Sequence, residues 1–271
     1  MTVVLQVSDP HFGTERRTAV EALQRLCAEL KPDLLLVTGD VTQRARRAQF
    51  EAARAFFDQL RVPARLIIPG NHDIPLLNVF ARVFNPYGGH IRAFGPALEG
   101  EFEREDLLVI AINTTRRYRH KHGEVSPVQV ERVVKRLARA RPGQVRLVAV
   151  HQPVAVTKGI DIDNLLRGHA MAVKRWAEAG ADAVLGGHIH LPYVLPLHDM
   201  WPELSRPMWA VQAGTSLSHR LRGGTSNSVN LIRTGAGRSA AVEQWDLDDA
   251  AGVFRLAQST AITGGTEALT C

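Results

Sequence analysis

The chain has 271 residues, 45% hydrophobic and 22% charged, and its 33 Lys and Arg against 27 Asp and Glu leave a net charge of +6. That content suits one globular domain with an ample core, and Arg, Asp or Glu breaks every apolar run before the roughly 18 residues that a membrane span requires. The two distant cysteines, Cys27 and Cys271, make neither a disulfide framework nor a zinc-thiolate site, and the scattered arginine excess favours anionic partners without establishing nucleic-acid binding.

In chain order, MTVVLQVSDPH holds a short apolar run interrupted by Gln6 and closed by Asp9. It reads as a first strand rather than a signal peptide, and a cytoplasmic location is expected. Ala19, Val20, Leu23, Leu26, Cys27 and Leu30 then recur at helical spacing until Pro32, and residues 43–60 repeat the pattern with Phe50, Ala53, Phe57 and Leu60. DLLLV and RLII, and later LLVIAI, VRLVAV and DAVL, are Leu-rich or β-branched runs that fit buried strands. Ser126, Pro127 and Gln129 supply an N-cap, a first-turn proline and a capping-box partner to a helix carrying Val130, Val133, Val134 and Leu137. Beyond residue 192, VLPL, MWAVQ, SVNLI and AAVEQW, interrupted by GGTSN, predict mostly sheet. DLDDAAGVFRLAQ is expected to close a single domain, residues 1–258, as a helix, leaving 259–271 as a flexible tail.

Five of the strand runs end in a cluster of Asp, Asn and His. VVLQVSD leads to Asp9 and His11, DLLLVTGD to Asp40, RLIIPGNHD to Asn71 and His72, VRLVAVH to His151, and DAVLGGHIH to His188 and His190. Ligands of open α/β sheets collect at the carboxyl ends of strands, so these ends are expected to converge. Gly39, Gly70, Gly186 and Gly187 let the backbone turn off each strand. Carboxylate, amide and imidazole without thiolate suit Mn, Fe, Zn, Co or Ni rather than Ca or Mg. Seven ligands exceed the need of one ion and suit two that share a bridging carboxylate.

This ordered set resembles the calcineurin-like metallophosphoesterases, whose pattern D-x-H, G-D, G-N-H-[DE], H, G-H-x-H is met by Asp9-Pro10-His11, Gly39-Asp40, Gly70-Asn71-His72-Asp73, His151 and Gly187-His188-Ile189-His190. The resemblance implies a four-layer α/β sandwich of two mixed sheets flanked by helices. It implies that Asp9, His11 and His190 hold one metal, that Asn71, His151 and His188 hold the other, and that Asp40 bridges two ions, with Mn, Fe or Zn expected. His72 would sit over the substrate as hydrogen-bond donor to a phosphate oxygen or as general acid for the leaving alkoxide, with Asp40 and Asn71 completing the catalytic set. Such a pair of cations would hold a hydroxide between them and neutralise phosphate oxygens, while an imidazole protonates the leaving group. Asp73 is expected to orient a neighbouring imidazole. The sequence departs from many relatives where Gln152 and Pro153 follow His151, read as a difference in the substrate pocket.

Outside the motifs, Asn113, Arg116 and His169 are candidate substrate contacts, and residues 116–122 form a basic loop that could clamp phosphate. Arg220 and Arg222, beside Gly223 and Gly224, are expected in an exposed turn. The compact length and the GNHD form look most like the bacterial cyclic-nucleotide and glycerophosphodiester phosphodiesterases, so hydrolysis of a small phosphodiester is expected. Phosphomonoesterase, nuclease or lipid-linked diphosphate hydrolase of the same superfamily, or a scaffold with a dead site, are the alternatives. Homo-oligomerisation stays open.

Overall fold

The computed structural model describes residues 1–262. The first half runs β1 (Val3–Val7), α1 (Arg17–Leu30), β2 (Leu34–Thr38), α2 (Arg47–Gln59), β3 (Ala64–Ile68), α3 (Val79–Phe84), α4 (Gly88–Phe94), β4 (Gly100–Glu103), β5 (Leu107–Ala111) and α5 (Pro127–Leu137). The second runs β6 (Val145–Ala149), α6 (His169–Glu178), β7 (Ala183–Gly186), β8 (Tyr193–Pro196), β9 (Trp209–Gln212), β10 (Ser228–Thr234), β11 (Ala240–Asp248) and β12 (Val253–Ala261).

The strands form two six-stranded mixed sheets, ordered β12-β11-β10-β1-β2-β3 and β4-β5-β6-β7-β9-β8. The inner strands are mostly apolar because each is covered on both faces. On β1, Val3, Leu5 and Val7 pack with Leu23 of α1 and Phe57 of α2, whereas Val4 meets Leu107, Val109 and Leu147 of the opposite sheet. The outer face of the second sheet packs on Val130 and Val133 of α5 and on Val173 and Trp176 of α6. Helices, sheet, sheet and helices make the expected four-layer sandwich.

Two polar side chains tie the sheets together beneath the strand ends. Gln6 Nε2 donates across to the Gly186 carbonyl at 3.0 Å, and Asn230 Nδ2, which also donates to Gln6 Oε1 of its own sheet at 3.1 Å, reaches across to the Gln212 carbonyl at 3.5 Å. Strands β1, β2 and β3 are parallel, as are β5, β6, β7 and β9, so the carboxyl ends of both sheets open on one side.

The C-terminal region departs from expectation. DLDDAAGVFRLAQ is not a helix but the end of β11, a turn and most of β12, paired antiparallel from Ala241–Ala261 to Asp248–Val253. Asp248 Oδ1 accepts the backbone N–H groups of Ala250 and Ala251, and Gly252 adopts φ 65°, which closes a hairpin instead of starting a helix. The boundary expected at 259 therefore falls inside β12; residues 263–271, with Cys271, lie outside the described residues.

Candidate metal centre

Asp9 and His11 follow β1, and His190 follows β7. Their ligand atoms lie within 4.8 Å of one another. Asp9 Oδ2 accepts from the Ser8 hydroxyl at 2.6 Å and from His188 N–H at 2.8 Å, so the carboxylate is fixed in orientation. Its Oδ1 is turned toward His190 Nε2 at 3.4 Å and His11 Nε2 at 3.9 Å. The two imidazole Nε2 atoms face each other at 3.0 Å.

Asp40, His151 and His188 form a second such group. His151 Nδ1 donates to the Thr38 carbonyl at 2.7 Å, leaving Nε2 to face Asn71 Oδ1 at 3.2 Å and Asp40 Oδ1 at 3.4 Å. His190 Nδ1 likewise donates to the Arg220 carbonyl at 2.7 Å, which presents its Nε2 inward. Asp40 lies between the groups, because its Oδ2 is 3.8 Å from His11 Nε2 of the first.

The backbone is bent to achieve this. Asp9, His11, Asp40, His188 and His190 all have positive φ, between 45° and 74°, a left-handed conformation that non-glycine residues adopt at a cost. Of the four glycines expected to turn the strands, only Gly39 has positive φ. Gly70 serves close approach instead: a Cβ there would strike the Asp40 backbone and carboxylate.

Burial and the neighbouring charges together set the protonation of these groups. Burial pushes the His11 and His188 imidazoles down to about 3, keeping them neutral with lone pairs available. Burial alone would raise Asp9, but the hydrogen bond and charge of His190 bring it down to about 2. It would also lower His151, yet the Asp40 carboxylate beside that ring holds it up at about 9. Two ionised carboxylates thus stand among imidazoles in a water-poor pocket.

The residues fit a pair of cations. Asp9 Oδ1, His11 Nδ1 and both ring nitrogens of His188 are buried without a hydrogen-bond partner. Leaving so many polar atoms unsatisfied opposes folding unless a cation compensates them. The family model of the calcineurin-like phosphoesterases matches residues 2–192, which contain every one of these residues. The chain belongs to the calcineurin-like phosphoesterase family. Two candidate metal groups joined at Asp40 accord with the dinuclear centre expected of this metallophosphoesterase.

Solved structures share the fold at low identity. A purple acid phosphatase from yellow lupin (Lupinus luteus) seeds superposes with a TM-score of 0.71 at 12% identity over 97% of this chain; this chain spans only 53% of that one. A dimetal phosphatase from Danio rerio gives 0.67 at 11% identity, covering 97% of this chain and 99% of that one. The Zn-complexed Vps29 from Entamoeba histolytica gives 0.51 at 11% identity, with 97% and 100% covered. No curated protein matches the sequence.

The centre lies in a recess of about 540 Å³. His72 stands at its wall: Nδ1 donates to the Gln43 carbonyl at 2.9 Å, and Nε2 is 3.3 Å from Arg220 Nη1. Arg220 is the residue that sequence reasoning placed wrongly. Its guanidinium reaches Gln43 Oε1 at 3.0 Å and lies 3.4 Å from His11 Nε2, inside the recess rather than in an exposed turn. Arg222 holds that loop in place through Asp161 at 2.7 Å and the Ile189 carbonyl at 3.0 Å. Gln43, Asp161 and Asn164 also line the recess and were missed; none stands in a motif, and only the tertiary fold brings them near.

Other expectations fall elsewhere. Asn113 turns its Oδ1 to Thr115, and with Arg116, Glu99 and Gln129 it lines a separate recess. Arg116 is occupied by the Asn113 and Thr115 carbonyls. His169 caps the turn before α6 through Nδ1 to the Leu166 carbonyl at 2.8 Å and faces Trp201, away from the centre. Of the basic loop, only His120 and Lys121 reach the recess, while Arg119 pairs with Glu124 at 2.9 Å. Asp73 orients no imidazole: its carboxylate accepts the N–H groups of Val41, Thr42 and Gly70, tying the β2 and β3 ends together. Gln152 is buried against the Thr114 hydroxyl at 2.7 Å and does not line the recess. Among the described residues, no helix is long and apolar enough to cross a membrane.

Proposed function

We propose that this calcineurin-like phosphoesterase hydrolyses small phosphodiesters of the cyclic-nucleotide or glycerophosphodiester type. Two transition-metal ions, Mn, Fe or Zn, would be held by Asp9, His11 and His190 on one side and by Asn71, His151 and His188 on the other, with Asp40 shared between the two groups. The observation that carries this reading is the meeting of two buried donor groups at Asp40, with several donor atoms lacking any protein partner. When bound, the ions supply charge against the phosphate oxygens and make a water acidic enough to attack near neutral pH.

The protein's own groups supply the rest. Arg220, free of any carboxylate ion pair among the described residues, faces the recess and binds a phosphate oxygen through its planar fork. Gln43 positions both His72 and Arg220, accepting from one through its carbonyl and from the other through its side chain. His72, held at Nδ1, directs Nε2 into the recess, where it is placed to pass a proton to a departing alkoxide. A diester carries organic groups on both arms, and the recess of about 540 Å³ has room for them.

The deciding experiment compares bis(p-nitrophenyl) phosphate with p-nitrophenyl phosphate, using metal-stripped protein with Mn, Fe, Zn, Co or Ni restored singly. Metal-dependent turnover favouring the diester supports the reading. Preference for the monoester makes the protein a phosphatase, and no turnover with any metal leaves a dead scaffold.

A further inference from the structure

Helix α3 exposes what a globular protein normally hides. Val79, Phe80, Val83 and Phe84 are 67%, 74%, 42% and 72% exposed, and Leu77 just before them is 87% exposed. Spacings of one, four and five residues put the four helical positions on one face, with the Phe80 and Phe84 rings 4.7 Å apart. The opposite face is anchored, because Arg82 is buried and donates to the carbonyls of Pro75 and Arg119. The apolar face is therefore held outward by the fold.

A basic recess adjoins it at Leu77 and runs along the other side of α3, where Asn78, Ala81 and Asn85 line it. Arg44, Arg46, Arg47, Arg54 and Arg92 line this recess of about 790 Å³ together with Leu77. Arg47 and Arg54 pair with Glu51 and Asp58 along α2, whereas Arg44, Arg46 and Arg92 have no carboxylate partner among the described residues. Contiguous exposed apolar surface marks an interaction site. Its combination with unpaired guanidinium groups matches the boundary of a bilayer, with side chains entering the acyl margin and arginines meeting lipid phosphates. A nucleic-acid backbone would leave five apolar side chains against phosphate or water. A second copy docked two-fold through this face would set the arginines against their own copies.

We infer that this face docks the protein on an anionic phospholipid membrane. Arg44 and Leu76 line both this recess and the recess of the metal centre, so docking brings the mouth of the site to the level of the lipid headgroups. The inference stands independently of the hydrolysis reading, since binding is measured without turnover.

The test is co-sedimentation of the full chain with phosphatidylcholine vesicles and with vesicles that also contain phosphatidylglycerol. The wild type should bind the anionic vesicles, weakly bind the neutral ones, and detach as salt rises. Phe80→Ser with Phe84→Ser should lower the partition at least tenfold. Arg46→Gln and Arg92→Gln should each lower it, by about fivefold for an arginine at the surface. All these positions are exposed, so thermal unfolding should stay unchanged, which separates lost docking from lost folding. Failure of the wild type to bind anionic vesicles at low salt would overturn the inference. So would undiminished binding by the double phenylalanine variant, or a wild-type dimer in light scattering that this variant dissolves.

Discussion

The metal centre and the outer face of α3 both reverse the ordinary distribution of side chains, in opposite senses. At the strand ends, Asp9, His11 and His151 are fully buried; on α3, Phe80 and Phe84 stand 74% and 72% exposed. Each reversal is held by ordinary structure around it: the Gln6 and Asn230 bonds beneath the centre, and the Arg82 anchor beneath α3. The two differ in what their removal should do. Buried polar groups are coupled to many neighbours, whereas the exposed apolar ones touch little but each other, so chemistry and stability should respond at the first and neither at the second.

Asp40→Asn or His151→Ala should produce the largest effect, a loss of metal-dependent turnover of about a thousandfold or more together with metal content, read by elemental analysis beside kinetics. Retention of both metals and full rate in either variant would break the contrast at its centre. Next, Phe57→Ala, fully buried between α2 and the first sheet, should cost about 3–5 kcal/mol in denaturant unfolding. His72→Ala should keep both metals yet lose about a hundredfold or more in rate, most for poor leaving groups; an undiminished rate on an alkyl diester would remove its acid role.

A smaller effect belongs to His90, which is buried between Phe50 and Phe94 with neither ring nitrogen hydrogen-bonded. Burial pushes its imidazole down to about 4. A folded value below the unfolded one of 6.5 means that stability is fully present above 6.5 and is lost as pH falls from there toward 4. The wild type should therefore lose about 2 kcal/mol more than His90→Phe between pH 7 and about pH 5, measured by urea unfolding. The smallest effect is at the exposed face: Phe80→Ala should change stability by no more than about 0.5 kcal/mol, and a larger loss would show that α3 is packed rather than presented.

The candidate centre was legible in the sequence because each of its residues stands within a few positions of an apolar run, so the strand runs placed it at strand ends. Arg220 was not, since it reaches the site from the loop before β10, and its neighbours Gly223 and Gly224 suggest only a turn. Asn113 and Arg116 follow a strand like the residues of the candidate centre, but local hydrogen bonds to Thr115 turn them aside. β12 was misread because an edge strand with one buried position, Phe254, leaves alternation too faint to compete with apparent helical spacing. The α3 face was missed for a different reason: apolar residues at helical spacing signal a buried stripe in sequence, and only the fold reveals that nothing covers it.

The left-handed backbone at Asp9, His11, Asp40, His188 and His190 bears on how such a protein can change over generations. Each of these conformations costs on the order of 1 kcal/mol or more, together comparable with the net stability of a domain. In a descendant released from its chemistry, glycine at any of the five would relieve that backbone strain, at Asp9 and Asp40 against the loss of the hydrogen bonds they accept from the His188 and His72 N–H groups. A lineage that keeps all five carries them as a debt serviced only by turnover.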